Sequence, residues 1–437
     1  MNTRRVPQEQ WKAVLEAMRA HEIELESHLS DIEAVPDFAW QKDHIVVPED
    51  VHDSQLHGVE ASRVGPDRPG PRLMKVAGMR TRDAAAHLNS RSDLRDRIGL
   101  NNLMSICPVN LCPADEPTPI PPYPLGTPVP RWHNGETWGE GVRVAVIDTG
   151  LAVGWQAHPW LVLPTRVDGD TRTTFEKPSG DVGLYAGHGA FIAGVLRCVA
   201  PAVQVKVTNL FEYAGASFEW QVSNAIVDAL VAGPDIISLS AGGAVADGLP
   251  HPAFSYALSR LSGTDTLLVA AAGNDGKGCG DLAQFFPAAF AREHGDMVVA
   301  VGALREDRLG RACFSNFDDF VSVFEDGEHL HNAFSAGSYT YHESSAPQCR
   351  YHVPPIEVPC TCQNTPEFGM REEFEGMAEW SGTSFSTPVI AARIARHMSE
   401  HAPMTARDAW AALRGQLATI TDKGDDKTKL KIFSRPV

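Results

Sequence analysis

From residue 142 onward the chain carries five short, nearly uninterrupted apolar runs separated by helix-like stretches, and this alternation narrows its fold more than any other feature. The runs are VRVAVID (142–148), VQVKVTNL (203–210), DIISLS (235–240), TLLVAAA (266–272) and MVVAVGAL (297–304). A run that is apolar at consecutive positions suits a strand covered on both faces, as in a parallel sheet between helices. Between the runs, SFEWQVSNAIVDALVAG and HPAFSYALSRL place apolar residues at helical spacing. The expectation is an α/β domain with a mainly parallel central sheet flanked by helices. In such sheets functional groups gather at the carboxyl ends of the strands.

Two zones precede that domain. Residues 1–105 mix helical patterns with an extended stretch, HIVVPEDV, and read as an α+β region. Near the start, Trp11, Val14, Leu15, Met18, Leu25 and Leu29 fall close to helical spacing. The two arginines before them are not followed by an apolar segment of the kind an export signal needs. The expected location is therefore cytoplasmic, or secreted if an export signal has been removed. Residues 106–131 contain CPVNLCPADEPTPIPPYPLGTPVPR, too rich in proline for regular structure, and read as a linker or a strap over the surface. The third zone, 132–437, is interrupted by an insertion at about 325–379.

Composition excludes some partners. A formal charge of −17 argues against nucleic acid, whose phosphates need a concentrated basic surface. No run of about 18 apolar residues occurs, so no membrane span is expected. Eight cysteines lie between Cys107 and Cys362. Without an export signal their default state is the reduced thiol. Cys349, His352, Cys360 and Cys362 match no standard zinc module, so free thiols or an opportunistic disulfide are expected there.

Four polar residues stand at the ends of these elements. Asp148 closes the first run in VIDTG, where a tight turn can fix its carboxylate; an Asx turn or helix cap is the plainer reading. His188 lies in GHGAFIAGVL, with Gly187 and Gly189 leaving room around the ring, although a lone histidine is most often structural. Asn274 in VAAAGNDG follows an apolar run; its amide can donate to a developing oxyanion, or it can be a turn residue. Ser384 in WSGTSFSTPVIAARIARHM opens a helix whose dipole favours negative charge beside it, with Pro388 expected in the first turn. Only the serine motif persuades alone.

In combination, the ordered motifs VIDTG, GHGAFIAG, ISLSAGG, AAAGN and GTSFSTP resemble the subtilisin-like serine peptidases over roughly residues 135–420. The chain order Asp, His, Ser is that of subtilisin itself. The resemblance implies a subtilisin-like fold and a serine endopeptidase that works through an acyl-enzyme, with Asp148, His188 and Ser384 as its triad. It implies that Asn274 and the Ser384 backbone N–H form the oxyanion hole, and that Ser240, Ala241 and Gly242 bind a protein or peptide substrate as an added strand. It also implies an N-terminal prodomain that blocks the site as an intramolecular inhibitor; a permanently retained accessory domain is the alternative. No metal or cofactor is needed for this chemistry. Calcium commonly accompanies the family, but no carboxylate spacing here identifies a site. The chain departs from the family at Ala190, where Thr or Ser is usual. It departs again in the insertion, which brings His329, His331, His342 and the late cysteines ahead of Ser384 and reads as a surface loop or a lid.

Two other function classes compete. A catalytically inactive relative that binds peptides by strand addition has no need of all four residues. An α/β-hydrolase esterase needs its serine before the aspartate and histidine, and here the serine comes last. Within the peptidase reading, a processing enzyme of narrow specificity is at least as consistent as a degradative one.

Overall fold

The computed structural model describes residues 8–34, 36–106, 116–171, 180–245, 249–276, 285–341, 361, 366, 369–423 and 428–434. The chain begins with α1 (Gln8–Ala20), which buries Trp11, Val14, Leu15 and Met18. The strands β1 (Leu25–Ser27), β2 (Ala39–Val47), β3 (Glu60–Val64) and β4 (Arg72–Ala77), the helix α2 (Thr81–Asn89) and β5 (Gly99–Ser105) follow. They build an antiparallel sheet around a core of its own that includes Ile45, Met74, Ala85, Leu88 and Leu100. This sheet runs β5-β2-β4-β3, with β1 added to β2.

The five apolar runs form β7 (Arg143–Asp148), β9 (Gln204–Asn209), β11 (Ile236–Leu239), β13 (Leu267–Ala271) and β15 (Val298–Leu304), after a short β6 (Thr118–Pro119) in the proline-rich stretch. Together with β8 (Asp168–Gly169), β16 (Val323–Asp326), β19 (Ala418–Thr421) and β20 (Lys429–Ile432) they make a nine-stranded sheet. Its order is β19-β20-β16-β15-β13-β11-β7-β9-β8, parallel throughout except at β19–β20. Every residue of β11, β13 and β15 is buried, which is why these strands read as continuous rather than alternating apolar runs.

After β7 the chain adds β9 on one side, then crosses to add β11 on the other. The order therefore reverses between β7 and β11, and at such a switch point the carboxyl ends of two neighbouring strands open a crevice. Helices α3 (Pro159–Val162), α4 (His188–Val199), α5 (Glu219–Val231), α6 (Pro252–Ser262), α7 (Thr383–Glu400) and α8 (Ala406–Arg414) flank the sheet. All twelve residues of α4 are buried, and α4 packs against α7, so both helices reach the crevice by their first turns. A two-residue pairing of β12 (Gly243–Ala244) with β14 (Phe285–Phe286) lies just beyond β11.

The structure corrects three expectations. The segment 217–233 does not begin as helix: Ala216–Phe218 is a strand, β10, that pairs antiparallel with β5 and so joins the N-terminal sheet. The insertion is not a surface loop in its described parts. It forms the hairpin β17 (Leu330–Thr340) and β18 (Arg371–Trp380), with β6 as a third strand, and buries Phe334, Tyr339, Phe374, Met377 and Trp380 in the main core. Pro388 is not in the first turn of α7 but is its sixth residue. His342, Cys349, His352, Cys360 and Cys362 lie outside the described residues. Among the described residues no helix is long and apolar enough to cross a membrane.

Candidate active site

Asp148 ends β7 at the switch point and is fully buried. The turn that follows holds its carboxylate, because Thr149 donates to Oδ1 from its backbone N–H at 2.7 Å and from its hydroxyl at 3.2 Å. That hydroxyl also accepts from the Gly189 N–H at 3.1 Å, tying the turn to the start of α4. Gly187, the residue before α4, has φ +90, and a Cβ there would meet the Phe334 ring at 2.9 Å. At Gly189 a Cβ would come 2.4 Å from the Gly150 carbonyl oxygen. The glycines on both sides of His188 thus let the helix approach the strand end closely enough for His188 Nδ1 to reach Asp148 Oδ1 at 2.8 Å and Oδ2 at 3.0 Å.

Aromatic rings hold the imidazole from the other side. Trp380 stands edge-on to it at 5.2 Å and Phe385, the residue after Ser384, lies at 5.1 Å. Ser384 is the second residue of α7, so the helix dipole points its positive end at the hydroxyl. Its Oγ donates to the Ser240 carbonyl at 3.2 Å, and the Ser240 hydroxyl donates back to the Ser384 carbonyl at 2.8 Å. Pro388 explains the second bond. It has no N–H to offer the carbonyl four residues back, and a side chain from the end of β11 supplies the donor instead.

Asn274 follows β13 and is buried. Its Oδ1 accepts from the Thr383 N–H at 2.9 Å and from the Thr383 hydroxyl at 2.8 Å, which fixes the amide so that Nδ2 faces the Gly382 backbone. A Cβ at Gly382 would lie 3.5 Å from that nitrogen. Strands β7, β11 and β13 and helices α4 and α7 therefore bring Asp148, His188, Ser240, Asn274 and Ser384 to one crevice, each at most 1% exposed.

The edge of the crevice is occupied. Ser105 exchanges both backbone hydrogen bonds with Gly242, at 2.8 and 2.9 Å, and the Ile106 N–H donates to the Gly215 carbonyl at 3.0 Å. The end of β5 thus lies between β10 on one side and the residues after β11 on the other. Ala241 and Gly242 flank this strand, and Met104 is fully buried beside Gly243. Sequence reasoning missed Trp380, Phe385 and the β10 edge. Gly215, two residues after Tyr213 and directly before Ala216–Phe218, is a local sign of that edge.

Among the described residues, His397, Glu400 and His401 are the one group of metal-binding side chains whose ligand atoms lie within 4.8 Å of one another. They sit at the end of α7 far from Ser384 and share no residue with the crevice.

The family model described as the subtilase family matches residues 139–433. The intracellular serine protease of Paenibacillus polymyxa is 29% identical over 220 residues, which cover 47% of this chain and 62% of that protein. Subtilisin DY of Bacillus licheniformis is 27% identical over 211 residues, covering 46% and 70%. Among solved structures, fervidolysin from Fervidobacterium pennivorans, a keratinolytic enzyme related to subtilisin, superposes with a TM-score of 0.54. It shares 16% identity over 90% of this chain and 60% of its own, a likeness of fold alone. The matched segments span 62% and 51% of the first two curated relatives, less than two thirds of their lengths.

Proposed function

The chain belongs to the subtilase family, whose model spans more than half of its length, and on that footing we propose that it is a serine endopeptidase held shut by its own N-terminal region. The observation that carries the chemistry is the bond from His188 Nδ1 to both Asp148 oxygens, beside the helix that starts at Ser384. A histidine that donates through Nδ1 keeps its lone pair on Nε2 and can act as a base. Ser384 Oγ attacks the scissile carbonyl while His188 takes its proton. The tetrahedral oxyanion faces the Asn274 amide and the first turn of α7. Collapse expels the amine, which receives the proton from His188, and leaves an acyl-enzyme. Water then repeats the sequence and releases the acid.

Substrate binds as a strand between β10 and Ser240–Gly242, where two backbone edges lie ready. The pairing of Ser105 with Gly242 supports both this binding mode and the inhibitory role of residues 1–106. Further contacts hold the N-terminal region in place. Trp220 Nε1 donates to the Pro71 carbonyl at 2.7 Å, and Arg68 forms a two-point ion pair with Asp228 at 2.6 and 3.2 Å. The full burial of Met104 favours a processing enzyme of narrow specificity over a degradative one. A cytoplasmic location agrees with the name of the Paenibacillus relative.

Labelling with a fluorophosphonate probe tests the reading. Wild type is expected to react at Ser384, weakly at first and strongly after limited proteolysis of residues 1–125, and Ser384→Ala not at all. A folded wild type that stays unlabelled after that proteolysis would make the chain a peptide-binding module.

A further inference from the structure

Where β5 crosses the start of α5, the docked strand sets a side chain against a carboxylate with unused bonding capacity. Glu219, the first residue of α5, is fully buried. Its Oε2 accepts from Asn102 Nδ2 at 2.6 Å and lies 3.2 Å from His251 Nδ1. Its Oε1 is equally buried and has no hydrogen-bond partner among the described residues; the same holds for Asn102 Oδ1. Asn102 is 2% exposed, and the strand around it is firmly placed: Asn101 Oδ1 accepts from the Trp220 N–H at 2.9 Å, and Ser105 pairs with Gly242.

An idle oxygen on a buried carboxylate is costly, and the amide opposite it corrects only half of the deficit. A carboxylate oxygen accepts, so the missing component is a donor. A guanidinium presents several N–H groups in a fork that matches both carboxylate oxygens, and an ammonium presents three. Asn102 is neutral, short and itself unsatisfied, so the chain's own strand is an imperfect occupant of this position. His251 is partly open to solvent and marks a way out for a longer side chain.

We propose that Glu219 is a specificity-determining residue: it selects a hydrogen-bond donor, arginine best, three residues upstream of the one that faces Gly242 in any strand lying where β5 lies. This rests on the peptidase reading given above. A substrate carrying arginine there satisfies both oxygens and gains over the resident Asn102. A substrate carrying glutamate sets two carboxylates against each other.

The test uses the full chain and fluorogenic peptides X-Leu-Met-Ser-Ile-Ala, with X as Arg, Lys, Asn, Ala or Glu, on wild type and Glu219→Gln. The fraction of molecules whose own strand is displaced multiplies every kcat/KM equally, so the ratios among peptides do not depend on it. Wild type is expected to prefer Arg over Ala by roughly tenfold and over Glu by roughly a hundredfold, with Asn between Arg and Ala. In Glu219→Gln the spread from Arg to Glu should shrink to about threefold. A flat profile in wild type overturns the proposal, and so does a profile that survives in Glu219→Gln. Failure to cleave any peptide, even after limited proteolysis, counts against the peptidase reading instead. A second arm then still decides the proposal, by amide hydrogen exchange across β5 in Asn102→Arg and Asn102→Glu. Faster exchange in Asn102→Glu alone, abolished in the Glu219→Gln background, supports it; equal loosening by both substitutions overturns it.

Discussion

The exchange of hydrogen bonds between Ser240 and Ser384 allows a sharp test of how Ser384 is held. The Ser384 carbonyl is buried, and Pro388 denies it the N–H that an ordinary helix would provide. The Ser240 hydroxyl at 2.8 Å replaces that N–H. Ser240→Ala therefore leaves a buried carbonyl without this donor, a loss of about 1–3 kcal/mol. Pro388→Ala restores an N–H four residues on, which then competes for the same oxygen. In that background Ser240→Ala should cost only about 0.5 kcal/mol, so the cycle should show a coupling of about 0.5–2.5 kcal/mol. The four proteins are compared by urea unfolding in a Ser384→Ala background, which keeps the backbone carbonyl and prevents self-digestion. Equal costs of Ser240→Ala in both backgrounds would refute the idea that proline and serine serve the same carbonyl.

Asp148→Asn should lower kcat on a fluorogenic peptide by about 10⁴-fold, because an amide there no longer enforces the Nδ1–H tautomer of His188; a loss under tenfold would contradict the assigned role. Gly99→Ala should raise basal peptidase activity several-fold and expose residues 1–106 to trypsin, since the new Cβ would come 2.5 Å from the Pro250 carbonyl oxygen and 2.6 Å from Pro252 Cδ. Unchanged activity and trypsin resistance would show that β5 does not govern access. The His329–Glu379–His331 cluster beside Ser381 predicts a pH dependence of stability. Burial disfavours the His329 charge, but bonds to Glu379 and the Thr361 carbonyl outweigh it and raise its pKa from 6.5 to about 9; burial likewise opposes the Glu379 charge, and the two histidines reverse it, lowering its pKa from 4.5 to about 2. The stabilisation from His329 is then complete below pH 6.5 and lost as pH rises through 9, while that from Glu379 is complete above pH 4.5 and lost as pH falls toward 2. Glu379→Gln should thus cost most stability near pH 5.5 and much less at pH 9.5 by urea midpoint, and a constant difference would count against the cluster.

The central sheet was legible because its physics is local to each strand. Burial on both faces demands apolar residues at every position, and Ile236–Leu239 and Val298–Leu304 show this without reference to anything distant. The candidate site positions stood out in the sequence because each lies near an element end with a glycine within two residues. Gly187 and Gly189 have a steric reason to be glycine that a sequence motif preserves. What was not legible depends on partners far along the chain. Ala216–Phe218 is a strand because β5, more than a hundred residues earlier, supplies its ladder; by local pattern it reads as the first turn of α5. The strand Arg371–Trp380 carries Glu372, Glu373, Glu375 and Glu379, and so looks like a solvated loop. Only its packing with Phe334 and Tyr339 turns one face of it into core. Pro388 was placed one turn early because a helix start can shift by several residues when a threonine, Thr383, precedes the serine and also tolerates the helix.

The switch point that creates the crevice also creates two unpaired backbone edges, and bare edges invite pairing. In this structure β5 satisfies both. A peptide substrate that replaces it makes the same main-chain bonds, so the backbone contribution cancels between the resident strand and any competitor. Discrimination then falls on side chains. The resident strand holds a further advantage, because it belongs to the same chain and acts at an effective concentration of roughly millimolar order. A free peptide at micromolar concentration must therefore bind about 10³-fold better through its side chains, or wait until the tether is cut. Along β5, Met104 is fully buried beside Gly243, and Asn102 makes only a half-satisfied contact with Glu219. The margin available to a substrate lies at Glu219, where the resident residue is the weakest. On the proposed peptidase reading, a gain of under about tenfold at Glu219 covers only part of that margin, so cutting the tether opens the site and the Glu219 contact then ranks the peptides that enter.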